Sequence, residues 1–304
     1  MKYLSALLLL FITFHLNAIV IRHDVDPNLY KTDTIPPFYI DMPFQGGAVL
    51  IDKHWLLAPA HVIYTSMYDY NGKPIMIHGV ENKVSEIIIH NDYKQAQGDW
   101  SKGDPKPLIE QLNNSKDIAL IRLSKAVTHV QPISIYKGND EIGMEMTGFG
   151  RGAIGTGITG EIKDSQGPEI TTYLWYQVTK FFSDWAFTQD DYQLLTYNNV
   201  ISEAKGHWLR FTFEQGKLAL PLEGTIGSGD SGGAVVIYQN SIPVLIGLAS
   251  WREIDGDLEN YTFGKYGSTA VLTRVSYFND WISKNINKST ITNSGHSELV
   301  KTKS

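Results

Sequence analysis

The sequence predicts an all-β protein, a sandwich or a barrel of short strands. Two observations carry this. Short apolar runs recur along the chain, each bounded by turn-forming residues. Sustained helical periodicity is confined to the C-terminal region. Hydrophobic residues make up 42% of the 304 residues, ample for a packed core. Length alone does not separate one large domain from two small ones.

Residues 1–18 stand apart from the fold. Lys2 supplies a positive start, Leu4 to Phe14 is a short apolar core, and Ala18 ends the stretch on a small residue. That layout is a secretory signal peptide, and the run is too short to span a bilayer. The mature protein is therefore expected to be secreted, extracellular or periplasmic, with no stable membrane association. The chain contains no cysteine, so packing alone must hold it and thiol chemistry is excluded. A formal charge of −6 argues against nucleic acid as a partner.

From Ile19 the strands follow in order. Gly47–Ile51 and Trp55–Ala58 bracket the turn Asp52-Lys53-His54 as a hairpin. Val84–His90, Ile118–Leu123, Ala234–Tyr238, Val244–Ser250 and Thr269–Val275 have the same character. Asp99–Lys106, rich in Gly, Pro and charge, reads as a surface loop, with one helical turn over Leu108–Leu112. Gly150, Gly152, Gly155, Gly157 and Gly160 read as a flexible loop. Ser276–Ile286 has helical spacing of Phe278, Trp281 and Ile282, with Ser276 as N-cap. The polar residues 287–304 are expected to be disordered. Asp69-Tyr70-Asn71-Gly72 reads as a turn, and no metal or other cofactor is expected.

The chemistry concentrates in Gly229-Asp230-Ser231-Gly232-Gly233. Average residue frequencies produce this pentapeptide by chance in about one chain of this length in a few thousand. Its glycines let the backbone bend tightly around the serine, and that bend can aim the Gly229 and Ser231 amides at one point. Taken alone, it is also compatible with an inert turn. A serine hydroxyl is a weak nucleophile and needs a positioned base. His61 follows the apolar run Trp55–Ala58, and Asp117 opens the run Ile118–Leu123. Singly, Asp117 reads equally as an ordinary strand-opening aspartate.

Together these segments resemble the trypsin/chymotrypsin serine protease family, which has the chain order His, Asp, Ser. Gly46-Gly47 through His61, Asp117–Leu123, Thr147-Gly148-Phe149-Gly150, Gly247–Trp251, and Val271–Val275 with Trp281-Ile282 are each similar to a family segment. The resemblance covers nearly all of residues 19–286. It implies two antiparallel six-stranded β-barrels with a C-terminal helix and the site between the barrels. It further implies a serine endopeptidase acting on proteins or peptides, with His61, Asp117 and Ser231 as its catalytic residues. Gly229 and Ser231 would form the oxyanion hole.

The family also implies an activation switch. An Ile19-Val20 terminus, freed by cleavage after Ala18, would pair its ammonium with Asp230. The primary substrate pocket falls by resemblance at Thr225, Ile226, Ser250, Trp251, Arg252 and Ala270. No acid stands at its base, so a preference for Arg or Lys is not expected, and a small or medium uncharged residue is favoured. The chain departs from the family at Gln45 and Val62, where a disulfide is usual, at Pro59, and at Arg252, where glycine is usual. Insertions precede Asp117 and fall within residues 151–215. Arg252 could narrow the pocket entrance, with Asp255, Asp257 and Glu259 available to counter its charge. Two rivals remain at this level: a protease-fold binding protein with a blocked cleft, and an esterase using the same three residues.

Overall fold

The computed structural model describes residues 19–42, 46–64, 69–162 and 194–288. The expected signal peptide, Gln45 and tail residues 289–304 lie outside these. The first strands are β1 (Ile19–Ile21), β2 (Tyr39–Asp41), β3 (Gly47–Asp52) and β4 (Trp55–Ala58). After α1 (Ala60–Ile63) come β5 (Pro74–Ile77), β6 (Val80–Ile89), α2 (Lys106–Asn114) and β7 (Ala119–Leu123). The second half holds β8 (Ser134–Ile135), β9 (Glu145–Gly150), β10 (Ile154–Thr156), β11 (Gly160–Glu161), β12 (Leu195–Val200), β13 (Glu203–Lys205) and β14 (Trp208–Thr212). It closes with β15 (Gly224–Thr225), β16 (Ala234–Gln239), β17 (Ile242–Arg252), β18 (Thr269–Arg274) and a helix, α3, over residues 279–288.

The N-terminal sheet runs β2-β3-β4-β7-β6-β5, six antiparallel strands whose two edges curl into contact. The C-terminal sheet runs β12-β9-β16-β17-β18-β14-β13 and curls so that β12 meets β14. It exceeds the expected six strands: β13 extends its edge and β8 adds in parallel to β17. A small third sheet, β11-β10-β1-β15, sits beside it.

The central strands are continuous apolar runs because both their faces are buried. Side chains alternate across a strand, so β3, β4 and β7 send Leu50, Leu56 and Ile121 inside their own curl. Val49, Leu57 and Leu120 point the other way, onto Phe149, Val236 and Leu248 of the second sheet. On the second sheet Val235, Ile246 and Ala249 fill the interior with Phe211 and Leu272. Phe278 and Ile282, from the C-terminal segment, complete the layer between the sheets. Apolar burial on three fronts substitutes for the missing disulfides.

Four expectations need correction. The glycine-rich stretch is not a free loop: it forms the end of β9, then β10 in parallel with β1 and β11 in antiparallel with β10. Ser276 does not cap the C-terminal helix. The chain first makes a 3-10 turn over Val275–Phe278, and Ser276 Oγ donates at 2.5 Å to Glu141. Glu141 is fully buried and also receives Arg274 at 2.6 Å, so the hydroxyl satisfies a buried charge instead. The helix then runs through residue 288, two residues into the segment expected to be disordered. Ahead of Asp117 stands α2, nine residues rather than the one turn expected over Leu108–Leu112. Its Asn113 carbonyl accepts Trp208 Nε1 at 3.0 Å, and Leu112 packs with Trp208 and Trp251.

The two sheets meet at main chain. Gly47 N–H donates to Ser231 C=O at 2.7 Å. Gly232 has φ +80°, and a Cβ there would stand 1.9 Å from the Gly47 carbonyl oxygen. Backbone cannot yield as a flexible side chain can, so Gly232→Ala combines left-handed strain with overpacking. It is expected to destabilise the fold by about 3 kcal/mol in urea unfolding, whereas Gly72→Ala, at similar φ with open space around it, should cost about 1 kcal/mol.

Candidate active site

Pro59 leads into α1 with φ −61° and ψ 144°, an entry conformation its ring favours, and α1 presents His61 at the end of β4. Asp117 directly precedes Ile118 and β7, the strand paired with β4, so the two side chains meet across adjacent strand ends. Asp117 Oδ1 accepts the His61 backbone N–H at 2.8 Å, and Oδ2 accepts His61 Nδ1–H at 2.7 Å. Ser250 Oγ donates to the same Oδ2 at 2.5 Å, and Thr273 Oγ1 holds the Asp117 carbonyl at 2.8 Å.

An ionised carboxylate only accepts, so Nδ1 carries the proton and Nε2 is left as the basic nitrogen. Burial disfavours the charged imidazole, but the Asp117 charge and hydrogen bond prevail and raise the His61 pKa above its ordinary value. For Asp117, burial pushes upward, yet the His61 charge and the hydrogen bonds from His61 and Ser250 hold it below the carboxylate range.

Ser231 lies between β15 and β16 in the turn where Gly229 and Gly232 both take positive φ. His61, Asp117, Ser228, Gly229 and Ser231 line one cleft of about 410 Å³. Among the described residues, the Gly229 and Ser231 amides have no protein acceptor. The arrangement therefore holds an oriented base, a hydroxyl and two unengaged donors on one opening.

Residues 32–179 match the protein family described as Trypsin. Vitamin K-dependent protein C of Rattus norvegicus is 26% identical over 252 residues, covering 78% of this chain and 45% of that protein. Complement C1s subcomponent of Rattus norvegicus is 25% identical over 274 residues, 81% of this chain and 33% of that one. A calcium-dependent serine proteinase of Mesocricetus auratus is also 25% identical, over 83% of this chain and 33% of its own. The chain belongs to the trypsin family of serine protease domains. It spans less than half the length of these relatives.

In this trypsin-family domain the expected pocket residues divide. Ile226, Ser250, Trp251 and Arg252 line the cleft. Thr225 and Ala270 are buried behind it, Thr225 on β15 against Val20 and Ala270 on β18 opposite Arg252. Ser250 turns its hydroxyl to Asp117 rather than to the pocket. Arg252 finds its counter-charge in Glu161, not in the acidic loop that follows it. Its guanidinium also donates to Ser228 Oγ at 2.8 Å and stacks 4.0 Å over Phe263. Sequence reading missed Glu161 because nothing local marks it. The signal was Arg252 itself, a long cation where the family resemblance led to the expectation of glycine. α2 contributes Leu112 to the cleft wall, beside Trp100 and Trp208.

Asp230 turns away from the cleft. It is 2% exposed, and its carboxylate accepts Gly227 N–H and Gly152 N–H, each at 2.6 Å. Gly152 leaves that approach open, since a Cβ would press within 2.6 Å of the Asp230 amide. Burial raises the carboxyl to about 7 although the two amides work against it. The folded chain thus binds this proton more tightly than the unfolded one. Its stabilising contribution is complete below about pH 4 and is lost as pH climbs to about 7. In the chain extended ahead of Ile19, Asp230→Asn should therefore gain stability relative to the parent between pH 4 and 7. Parallel urea titrations across that range check the trend.

Proposed function

We propose that the chain is a secreted serine endopeptidase that cleaves proteins or peptides through His61, Asp117 and Ser231. The observation that carries the reading is the 2.7 Å His61–Asp117 hydrogen bond on the cleft that Ser231 shares. His61 Nε2 takes the proton of Ser231 Oγ as that oxygen bonds to the scissile carbonyl carbon. The carbonyl oxygen gains the negative charge, which the Gly229 and Ser231 N–H groups stabilise. His61 then passes its proton to the departing amine nitrogen, leaving an acyl ester on Ser231. Water attacks that ester with His61 again as base, and the acid and free Ser231 are released. Asp117 keeps the imidazole in the required tautomer and stabilises the imidazolium throughout.

Loss of residues 1–18 during export would convert Ile19 from a peptide amide into an ammonium. Two features support pairing of that ammonium with Asp230. Ile19 is buried on β1 opposite Ile154, and Gly152, two residues before Ile154, already donates to Asp230. Asp230 also lacks a salt-bridge partner among the described residues. An ammonium there would lower the Asp230 pKa and raise its own, so activity falls as alkaline pH deprotonates the amine. Protonation of His61 produces a separate fall at acid pH.

The pocket reading favours small or medium uncharged residues before the scissile bond. Ile226, Phe263 and Trp251 offer apolar contact, and the nearby carboxylate of Glu161 is already taken by Arg252. Ser231→Ala should reduce turnover of a peptide substrate to a residual level, roughly 10³–10⁴-fold above water, while unfolding like the parent. Parent-like turnover by that variant would refute the assignment, and turnover of esters without peptides would favour an esterase. A peptide-library profile should show few cuts after Arg or Lys, because a buried cation would find no counter-charge. A profile dominated by Arg or Lys would contradict the pocket reading.

A further inference from the structure

Ser228 is the residue whose peptide bond contains the Gly229 N–H, and all of its polar groups are held. Its carbonyl accepts Ala153 N–H at 2.6 Å. Its own N–H donates to Glu161 Oε2 at 3.0 Å. Its Oγ accepts one arm of the Arg252 guanidinium at 2.8 Å, while the other arm is bound to Glu161. Glu161 and Arg252 side chains are only 8% and 11% exposed, so neither charge has water as a ready alternative partner.

A peptide unit is planar and trans, so its C=O and N–H point in opposite directions. A Ser228 carbonyl fixed toward Ala153 therefore turns the Gly229 N–H away from Ala153. That N–H has no protein acceptor among the described residues, and Gly229 lines the cleft beside Ser231. Positive φ at Gly229 gives this peptide a freedom that most residues lack, so something must suppress its rotation.

We infer that Glu161 and Arg252 form a clamp on Ser228 that positions the Gly229 N–H for the negative oxygen formed in the reaction. The inference rests on the peptidase reading above. Glu161 touches no reacting atom and acts through Ser228, so it is a positioning residue. Arg252 serves the clamp with its guanidinium and narrows the cleft with the same group. The three linked segments, β11, the 226–231 turn and the end of β17, are brought together by charge rather than by a covalent bridge.

The test uses the full chain, purified in active form, with a peptide p-nitroanilide substrate and a peptide boronate inhibitor. Measurable parent turnover comes first: its absence would end the peptidase reading, not the clamp specifically. Glu161→Ala should lower kcat by about 10- to 100-fold, less than the 10²–10³ typical of a whole donor lost. KM should stay within about threefold. Boronate affinity should fall in step with kcat/KM, because the boronate borrows the same donor. The acid limb of the pH–rate profile should not move, which separates the effect from damage to His61. Glu161→Gln retains an acceptor for the Ser228 N–H and should recover part of the loss. Unchanged kcat in Glu161→Ala, a change confined to KM, or no recovery in Glu161→Gln would each overturn the clamp. Should Glu161→Ala fail to fold, Arg252→Lys carries the same test. A kcat loss at steady KM supports the clamp there, and an unchanged kcat overturns it.

Discussion

The close approach of two main chains, Gly46-Gly47 from one sheet and Ser231-Gly232-Gly233 from the other, is the constraint on which the rest of the structure depends. A Cβ at Gly46 would lie 2.3 Å from the Ser231 carbonyl oxygen, and one at Gly232 would lie 1.9 Å from that of Gly47. The same contact that docks the sheets therefore sets where Ser231 emerges relative to β4 and β7. His61 and Asp117 are set by those strands, so the distance between base and hydroxyl is inherited from sheet packing. This explains why the glycines around Ser231 cannot be regarded as spacers.

Buried charge organises what apolar packing leaves open. Asp117 is held by His61 and Ser250, Glu141 by Arg274 and Ser276, and Glu161 by Arg252 and Ser228. Each carboxylate ties together segments remote in sequence, a task that disulfides perform in many exported proteins. Asp230 differs: among the described residues it holds two amides but no cation, and its carboxyl is pushed up to about 7. That imbalance, one residue from Ser231, would suit the positive charge of the proposed Ile19 ammonium.

Much of the fold was legible because the signals are local. Short apolar runs bounded by turn residues identified β3, β4, β7, β16 and β17 within a residue or two of their bounds. The pentapeptide around Ser231 and the apolar strands leading to His61 and from Asp117 marked the residues that the cleft brings together. What was not legible depends on partners distant in sequence. The glycines at 152–160 look like slack until Asp230 and β1 are placed beside them. Ser276 has the chemistry of a cap, but Glu141 claims its hydroxyl. Arg252 was visible as an anomaly, while its partner lies 91 residues away.

Sheet docking would thereby deliver Ser231, His61 and the Gly229 amide to one reacting centre. A crystal structure after treatment with a fluorophosphonate probe tests it most directly. The expected result is a phosphonyl group bonded to Ser231 Oγ, with its oxygen about 3 Å from both Gly229 N and Ser231 N and His61 Nε2 within hydrogen-bond reach. Adduct formation at another residue, or a phosphonyl oxygen directed away from both amides, would contradict it.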